Sequence, residues 1–375
     1  MKIGILTFQA SHNCGSMLQA FALQYIISHK YHHECELINY ANSASRNMYG
    51  LIDCRIYRNV FRENWKRLTH LKTYLNSMEE YEEFSNKYLV LSKKELSTKK
   101  QLEAIASNYD MIIAGGDQVW NVRCPDAGKE FYLNFTHDVR KVSYSPSMGG
   151  QNILIKADNL EVYKQLLSEF EHLSIREPHG QQWLQELTGR EVKIVADPTL
   201  LLSSKEWCEV LPVPEIEEEY IFNYAFYHNR EATNLGIQEI SKKTGLPVYT
   251  IDFKQHAVCR LDQYGIKRYK HTGPLAFLGL MKNASLVLTQ SFHGTLFSAL
   301  FNRLFWSYNW EGMHNPDDDR AIAILRQFGL EERYQMIEDI VAMDNVLEPI
   351  NYVPVNQRIQ ELRNDAFNYL QECLK

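Results

Sequence analysis

Residues 284–305, ASLVLTQSFHGTLFSALFNRLF, decide how the rest of the chain is read. An apolar run with β-branched content spans 285–289. The polar string Gln290, Ser291, Phe292, His293, Gly294, Thr295 follows, and then Leu296, Phe297, Leu300 and Phe301 recur at helical spacing. The pattern is strand, tight loop, helix. A loop of this kind lies at the carboxyl edge of a parallel sheet, where the new helix aims its free N–H groups and positive dipole end at whatever binds there. His293 stands at that spot, Gly294 permits close backbone approach, and Ser291 and Thr295 offer hydroxyls. These residues suit an anion site holding a proton donor. They suit equally a hydrogen-bonded structural histidine behind an ordinary helix cap, and spacing alone leaves both open.

Working outward, the chain opens in the same way. A buried strand over 2–8 is followed by the polar loop QASHNCGS and then by Leu18, Phe21, Ala22, Tyr25 and Ile26 on one helical face, with a strand again over 35–40. The loop lacks the GxGxxG of dinucleotide sites. Asn13, Gly15 and Gln19 nevertheless sit where such sheets bind ligands, with helix capping by Asn13 and Ser16 as the plainer alternative. Residues 109–121, YDMIIAGGDQVWN, repeat the logic: Gly115 and Gly116 turn the chain and present Asp117 and Gln118 at a sheet edge. A carboxylate there can orient a hydroxyl or act as base, or simply hold a turn. Arg176, between a short strand and Pro178, suits bidentate binding of phosphate or carboxylate, or an ion pair with Glu177 or Asp197. Arg320 closes the string NPDDDR, whose three carboxylates read as first-turn dipole partners of a helix rather than as a metal site.

At 375 residues two domains are expected. We place a first doubly wound domain at 1–202, a linker at 203–219 around Pro212, Pro214 and a largely acidic run, a second doubly wound domain at 220–354, and a terminal helix at 355–375. The stretch 43–78 interrupts the first domain. It is basic, with Arg46, Arg55, Arg58, Arg62, Lys66, Arg67 and Lys72 against Asp53 and Glu63, and reads as a helical hairpin packed on its own domain, a wall of the cleft, or a membrane-surface helix. The derived fold is α/β, with two doubly wound domains facing each other across a cleft.

A net charge of −6 argues against a nucleic-acid binder. The seven cysteines are scattered singly, with no CxxC, and suggest neither a disulfide framework nor zinc. No leader pattern and no apolar run of membrane-spanning length is evident, so a cytoplasmic location is expected, with the inner face of the membrane kept open. The 22 tyrosines exceed what a core needs, and exposed rings among them could stack on sugar faces.

Taken in order, NCGSMLQAFALQ, IIAGGDQVWN, VSYSPSMG, SIREPHG, VADPTLL, HTGPLAFLGLMKNASLVLTQSFHGTLFSALF and DDRAIAILRQFGLEER resemble the polysaccharide pyruvyl transferase family over nearly the whole chain. One departure is Gly116, where the family commonly has Ser. The resemblance implies a glycosyltransferase-B-like pair of Rossmann-like domains, often with a last helix crossing back to the first. It also implies transfer of the enolpyruvyl carbon of phosphoenolpyruvate to two sugar hydroxyls in polysaccharide or exopolysaccharide synthesis, forming a cyclic ketal and releasing phosphate, with no cofactor and no metal. Set against that chemistry, His293 is the candidate acid or phosphate ligand. Arg176, Ser291, Gly294, Thr295 and Arg320 are the donor-side candidates, with Asp117, Asn13, Gly15, Gln19 and Gln118 on the side of a free or lipid-linked sugar acceptor. Replacing His293 or Arg176 by Ala is expected to abolish transfer with little change in stability. A nucleotide-sugar glycosyltransferase and a non-catalytic glycan-binding member of the family are the alternatives.

Overall fold

The computed structural model describes residues 1–54, 60–310 and 320–375, with side chains throughout these ranges except at 62, 63 and 66. Expectations that rest on Arg55, Ile56, Arg58 and residues 315–319 lie outside the described residues.

The first half is built on β1 (Lys2–Leu6), β2 (Glu34–Leu37), β3 (Met111–Gly115) and β4 (Arg140–Tyr144), all parallel, in the order β2-β1-β3-β4. The short parallel pair β5 (Ser174–Ile175) and β6 (Lys193–Ile194) continues this sheet, because Ser143 N–H donates to His172 O at 3.1 Å and Val142 bridges His172. The second half holds β7 (Ile221–Tyr224), β8 (Val248–Thr250), β9 (Ile266–Arg268), β10 (Leu286–Thr289), β11 (Phe305–Asn309) and β12 (Tyr334–Met336). Their order is β12-β11-β10-β7-β8-β9, again parallel throughout. Counted within that half, this is the Rossmann order 3-2-1-4-5-6, whose strand order reverses between β7 and β10. The corresponding reversal in the first sheet lies between β1 and β3.

Short strands β9 and β12 escape the sequence reading because IKR and YQM, largely polar and only partly buried, offer no apolar run. The focal strand runs over Leu286–Thr289 and its helix over Phe292–Leu300, as the pattern required. In the opening helix, Cys14–His29, Asn13 accepts from the N–H groups of Gly15 and Ser16, so the capping alternative holds for Asn13. That helix is buried nearly all round, beyond the face the periodicity marked, because the second-half helix Gly273–Asn283 and the turn Pro198–Leu201 cover its outer side. The resulting apolar core is continuous from Ile3 and Leu18 through Trp207 to Phe277, Phe297 and Leu370, with separate cores on the far face of each sheet. A shared core of this kind fixes the two halves against each other.

Two expectations change, and a third holds. Half of the supposed linker is a packed helix, Ser204–Val210, started by a Ser203/Glu206 capping box and anchored by the fully buried Trp207. The stretch 43–78 contributes Ser43–Tyr49, Val60–Thr69 and the start of Leu71–Tyr88, but it does not fold back only on its own half. The last of these helices lies on the second half: Glu80 Oε2 accepts from Thr272 N–H at 2.9 Å, and the Lys254 ammonium sits 5.0 Å from the Tyr74 ring. The terminal helix spans Tyr352–Cys373 and crosses from the second half to the first, as the resemblance implied. Tyr352 donates to Arg303 O at its start, and near its end Tyr369 donates to Ser143 O at 2.8 Å. Between them Arg363 donates to Leu201 O at 3.1 Å and to Glu206 at 2.6 Å.

Candidate active site

The two strand-order reversals face each other, and the crevice between them is a cavity of about 270 Å³. Loops at the carboxyl ends of both sheets line it: Asn13, Asp117 and Gln118 from the first, Phe226, Tyr227, Gln290, Ser291, Phe292, His293 and Asn309 from the second, with Arg176 and Arg320 at one end. The helix beginning at Phe292 has no side-chain cap, so its first amides and dipole are directed at this space.

His293 is mostly buried and is held on two sides by residues of the first half. One side is Gly15, where a Cβ would lie 2.1 Å from the imidazole Nδ1, so only glycine leaves room for the ring. On the other side Asp197 Oδ2 lies 3.5 Å from Nε2, a charge contact that leaves Nε2 without a hydrogen bond among the described residues. The same carboxylate oxygen accepts from Arg176 NH1 at 2.8 Å, while Oδ1 accepts from Thr199 N–H at 3.0 Å and its hydroxyl at 2.7 Å. Burial alone would raise the Asp197 carboxyl. The charges of His293 and Arg176, with the Thr199 amide, reverse this and hold the group well below the usual carboxylate range. Imidazole, carboxylate and guanidinium thus form one buried chain.

Arg176 takes the ion-paired form anticipated as its alternative, and it also lines the cavity. Besides Asp197 it has Glu177 Oε2 at 3.7 Å, and its guanidinium stacks 3.9 Å from the Phe292 ring. Glu177 accepts from Ser147 Oγ at 2.8 Å and Met148 N–H at 2.6 Å. Burial still pushes its carboxyl upward, with Arg176 and Arg320 among the groups that counter the shift. With these contacts Arg176→Ala is expected to cost stability as well as activity, because Asp197 and Glu177 would each lose a buried cationic partner.

Across the crevice, Asp117 has a positive φ of 56°, which turns its carboxylate back to accept from Ser16 Oγ and from Gln118 N–H at 2.8 Å. Ser16 is thus a ligand of Asp117 as well as part of the helix start. Gln118 lines the cavity and accepts from Asn121 Nδ2 at 2.9 Å. Gln19 does not face the acceptor side. It is fully buried, donating to Thr7 Oγ1 at 2.8 Å and Ser16 O at 2.9 Å, and lies against Gly116. A Cβ on Gly116 would come within 1.6 Å of Gln19 Oε1, and φ is +64°, so this chain has no room for the family's serine. Gly294 and Thr295 are likewise withdrawn from the cavity: Gly294 lies under Thr289, and Thr295 Oγ1 donates to Ser291 O at 3.1 Å and Ser307 Oγ at 3.0 Å. They shape the loop, while Ser291 reaches the cavity.

Some lining residues were not singled out from sequence. Phe226 and Tyr227, 44% and 50% exposed, follow β7 and form an aromatic lip. Their position at a strand's carboxyl end was the available signal. Asn309, at the end of β11, donates to Tyr334 Oη at 2.9 Å. No cluster of His, Cys, Asp and Glu able to hold a metal occurs among the described residues.

Two Rossmann-type halves with a crevice between their facing strand ends define a glycosyltransferase-B-like fold. Solved structures agree in fold. UDP-GlcNAc 2-epimerase from Methanocaldococcus jannaschii, in complex with UDP-GlcNAc and UDP, superposes with a TM-score of 0.52 at 13% identity, covering 97% of this chain and 100% of that one. The Neisseria meningitidis UDP-GlcNAc 2-epimerase bound to UDP-GlcNAc gives 0.52 at 11% identity, covering 99% and 100%. No curated protein matches the chain. The family model for polysaccharide pyruvyl transferase matches residues 13–312, and the chain belongs to that family.

Proposed function

We propose that the protein transfers the enolpyruvyl carbon of phosphoenolpyruvate to two hydroxyls of a sugar in a polysaccharide or its lipid-linked precursor. A proton enters at the vinyl CH2, which becomes the methyl group. The first sugar hydroxyl bonds to C2, the C2–O bond to phosphate breaks, and the second hydroxyl closes the ketal. Of the two hydroxyl protons lost, one balances the proton delivered to carbon and the other leaves with phosphate.

The observation that carries this reading is the placement of His293. Its ring stands at an uncapped helix start beside Arg176 and Arg320, which suit a phosphate and a carboxylate, and opposite Asp117, which suits a hydroxyl. His293 delivers the proton to carbon, and Asp197 fixes the ring through its Nε2 edge. Asp117 and Gln118 orient the acceptor hydroxyls, with Asn13 completing that wall. The Phe226–Tyr227 lip offers ring faces to the sugar. No cofactor is required by this chemistry.

The test is phosphate release from phosphoenolpyruvate across a panel of β-galactosides, mannosides and N-acetylhexosamines. One acceptor class should stimulate release and gain a pyruvate ketal. His293→Ala should lower kcat by about 10²–10⁴-fold while phosphoenolpyruvate still binds. A raised KM with kcat retained would instead make the imidazole a phosphate ligand. No release with any acceptor, together with thermal protection by a nucleoside diphosphate sugar, would move the protein to the glycosyltransferases.

A further inference from the structure

The stretch that interrupts the first half presents an apolar surface exposed among the described residues. On the helix Val60–Thr69, Phe61 and Trp65 are 87% and 69% exposed, and Leu68 continues the same face one turn on. Leu71 and Leu75 extend it into the next helix. That next helix meets the rest of the protein through a different face, where Tyr74, Ser77, Tyr81 and Phe84 are buried. The outward residues are thus not the misplaced edge of a packing seam.

Charge identifies the occupant. The stretch 43–78 carries Arg46, Arg55, Arg58, Arg62, Lys66, Arg67 and Lys72 against Asp53 and Glu63, in a chain whose net charge is −6; Arg46 is paired with Glu95 and Arg67 lies 4.0 Å from Asp53, so the excess rests on the rest of the series. A second copy would bring the same excess of positive charge to the contact, so self-association through this face is opposed. Phe, Trp and Leu set among Lys and Arg are the side chains that settle at the boundary of headgroups and acyl chains on an anionic leaflet. No described helix is long and apolar enough to cross a membrane, so the contact is one of lying on the surface.

We propose that the face of Phe61, Trp65, Leu68, Leu71 and Leu75 docks the protein on an anionic phospholipid surface. The helix bearing Leu71 and Leu75 continues to Tyr81, whose hydroxyl lies 3.3 Å from Cys14 Sγ beside the crevice loop. Docking through it would therefore present the crevice to acceptors held at that surface.

The experiment is co-sedimentation of the full chain with vesicles of phosphatidylcholine alone, or with about one third phosphatidylglycerol, at low and high salt. The protein should sediment with the anionic vesicles at low salt, at least about tenfold more tightly than with neutral ones. The double variant Phe61→Ser/Trp65→Ser should lose that binding with its melting temperature unchanged. Absence of binding to anionic vesicles, equal binding to neutral ones, or full binding by the variant would each overturn the proposal. So would a concentration-dependent dimer that the variant abolishes, since a second copy would then cover the face.

Discussion

Asp197 joins the imidazole of His293 to the guanidinium of Arg176, and its environment makes two predictions. Because its folded carboxyl is held below the unfolded value, the stability it contributes is fully present above about pH 4 and is lost as pH falls further. Asp197→Asn should flatten acid denaturation in that range and cost about 3–5 kcal/mol at neutral pH, since Arg176 would lose the nearer of its two buried carboxylate partners. Denaturant melts at several pH values measure both. The second prediction concerns Gly15. Gly15 is buried in the first turn of its helix, and the Cβ of an alanine there would occupy the space of the ring at 2.1 Å. Gly15→Ala should therefore displace the imidazole, abolish turnover and cost about 1–3 kcal/mol of stability, and a variant that turns over normally would remove the ring from the proposed mechanism.

The last helix carries its own prediction. Arg363 is nearly buried, bonded to Leu201 O and Glu206, and is one of the polar links that seat this helix on the first half. Arg363→Ala should cost about 1–3 kcal/mol, read from the midpoint of urea unfolding. At this scale the sequence was informative where elements are long and periodic. The opening helix, the focal strand and its helix, and the crossing helix lie where their patterns put them. The packed helix after Ser203 was hidden by the nearby prolines and acidic run, although Ser203 and Glu206 already spelled a capping box. The direction taken by Leu71–Tyr88 was not legible, because Tyr74, Ser77, Tyr81 and Phe84 mark a buried face without saying which half buries it. Within the site, the loop positions of Asn13, Asp117, Ser291 and His293 could be read from strand ends. The withdrawal of Gln19 and Thr295 could not, since a buried and an exposed amide or hydroxyl look alike in sequence.

For the whole molecule, the crevice walls come from both halves, so a ligand filling it should bind the folded state and stabilise it as a unit. At a concentration one hundred times its dissociation constant, phosphoenolpyruvate should add about 2.7 kcal/mol, seen as a rise of a few degrees in the melting temperature. Arg320→Ala should reduce that rise. A nucleoside diphosphate sugar giving the larger shift would count against the proposed donor.

The nesting of one ring between Gly15, Asp197 and the strand end that bears it has an evolutionary consequence. The three positions are remote in sequence and meet only after folding, so a recombinant that exchanged one half for that of a distant cousin would inherit an imidazole without its seat. Descent with altered substrate preference is then expected to proceed by drift in rim residues such as Phe226, Tyr227 and Gln118, while these three are passed on as a set.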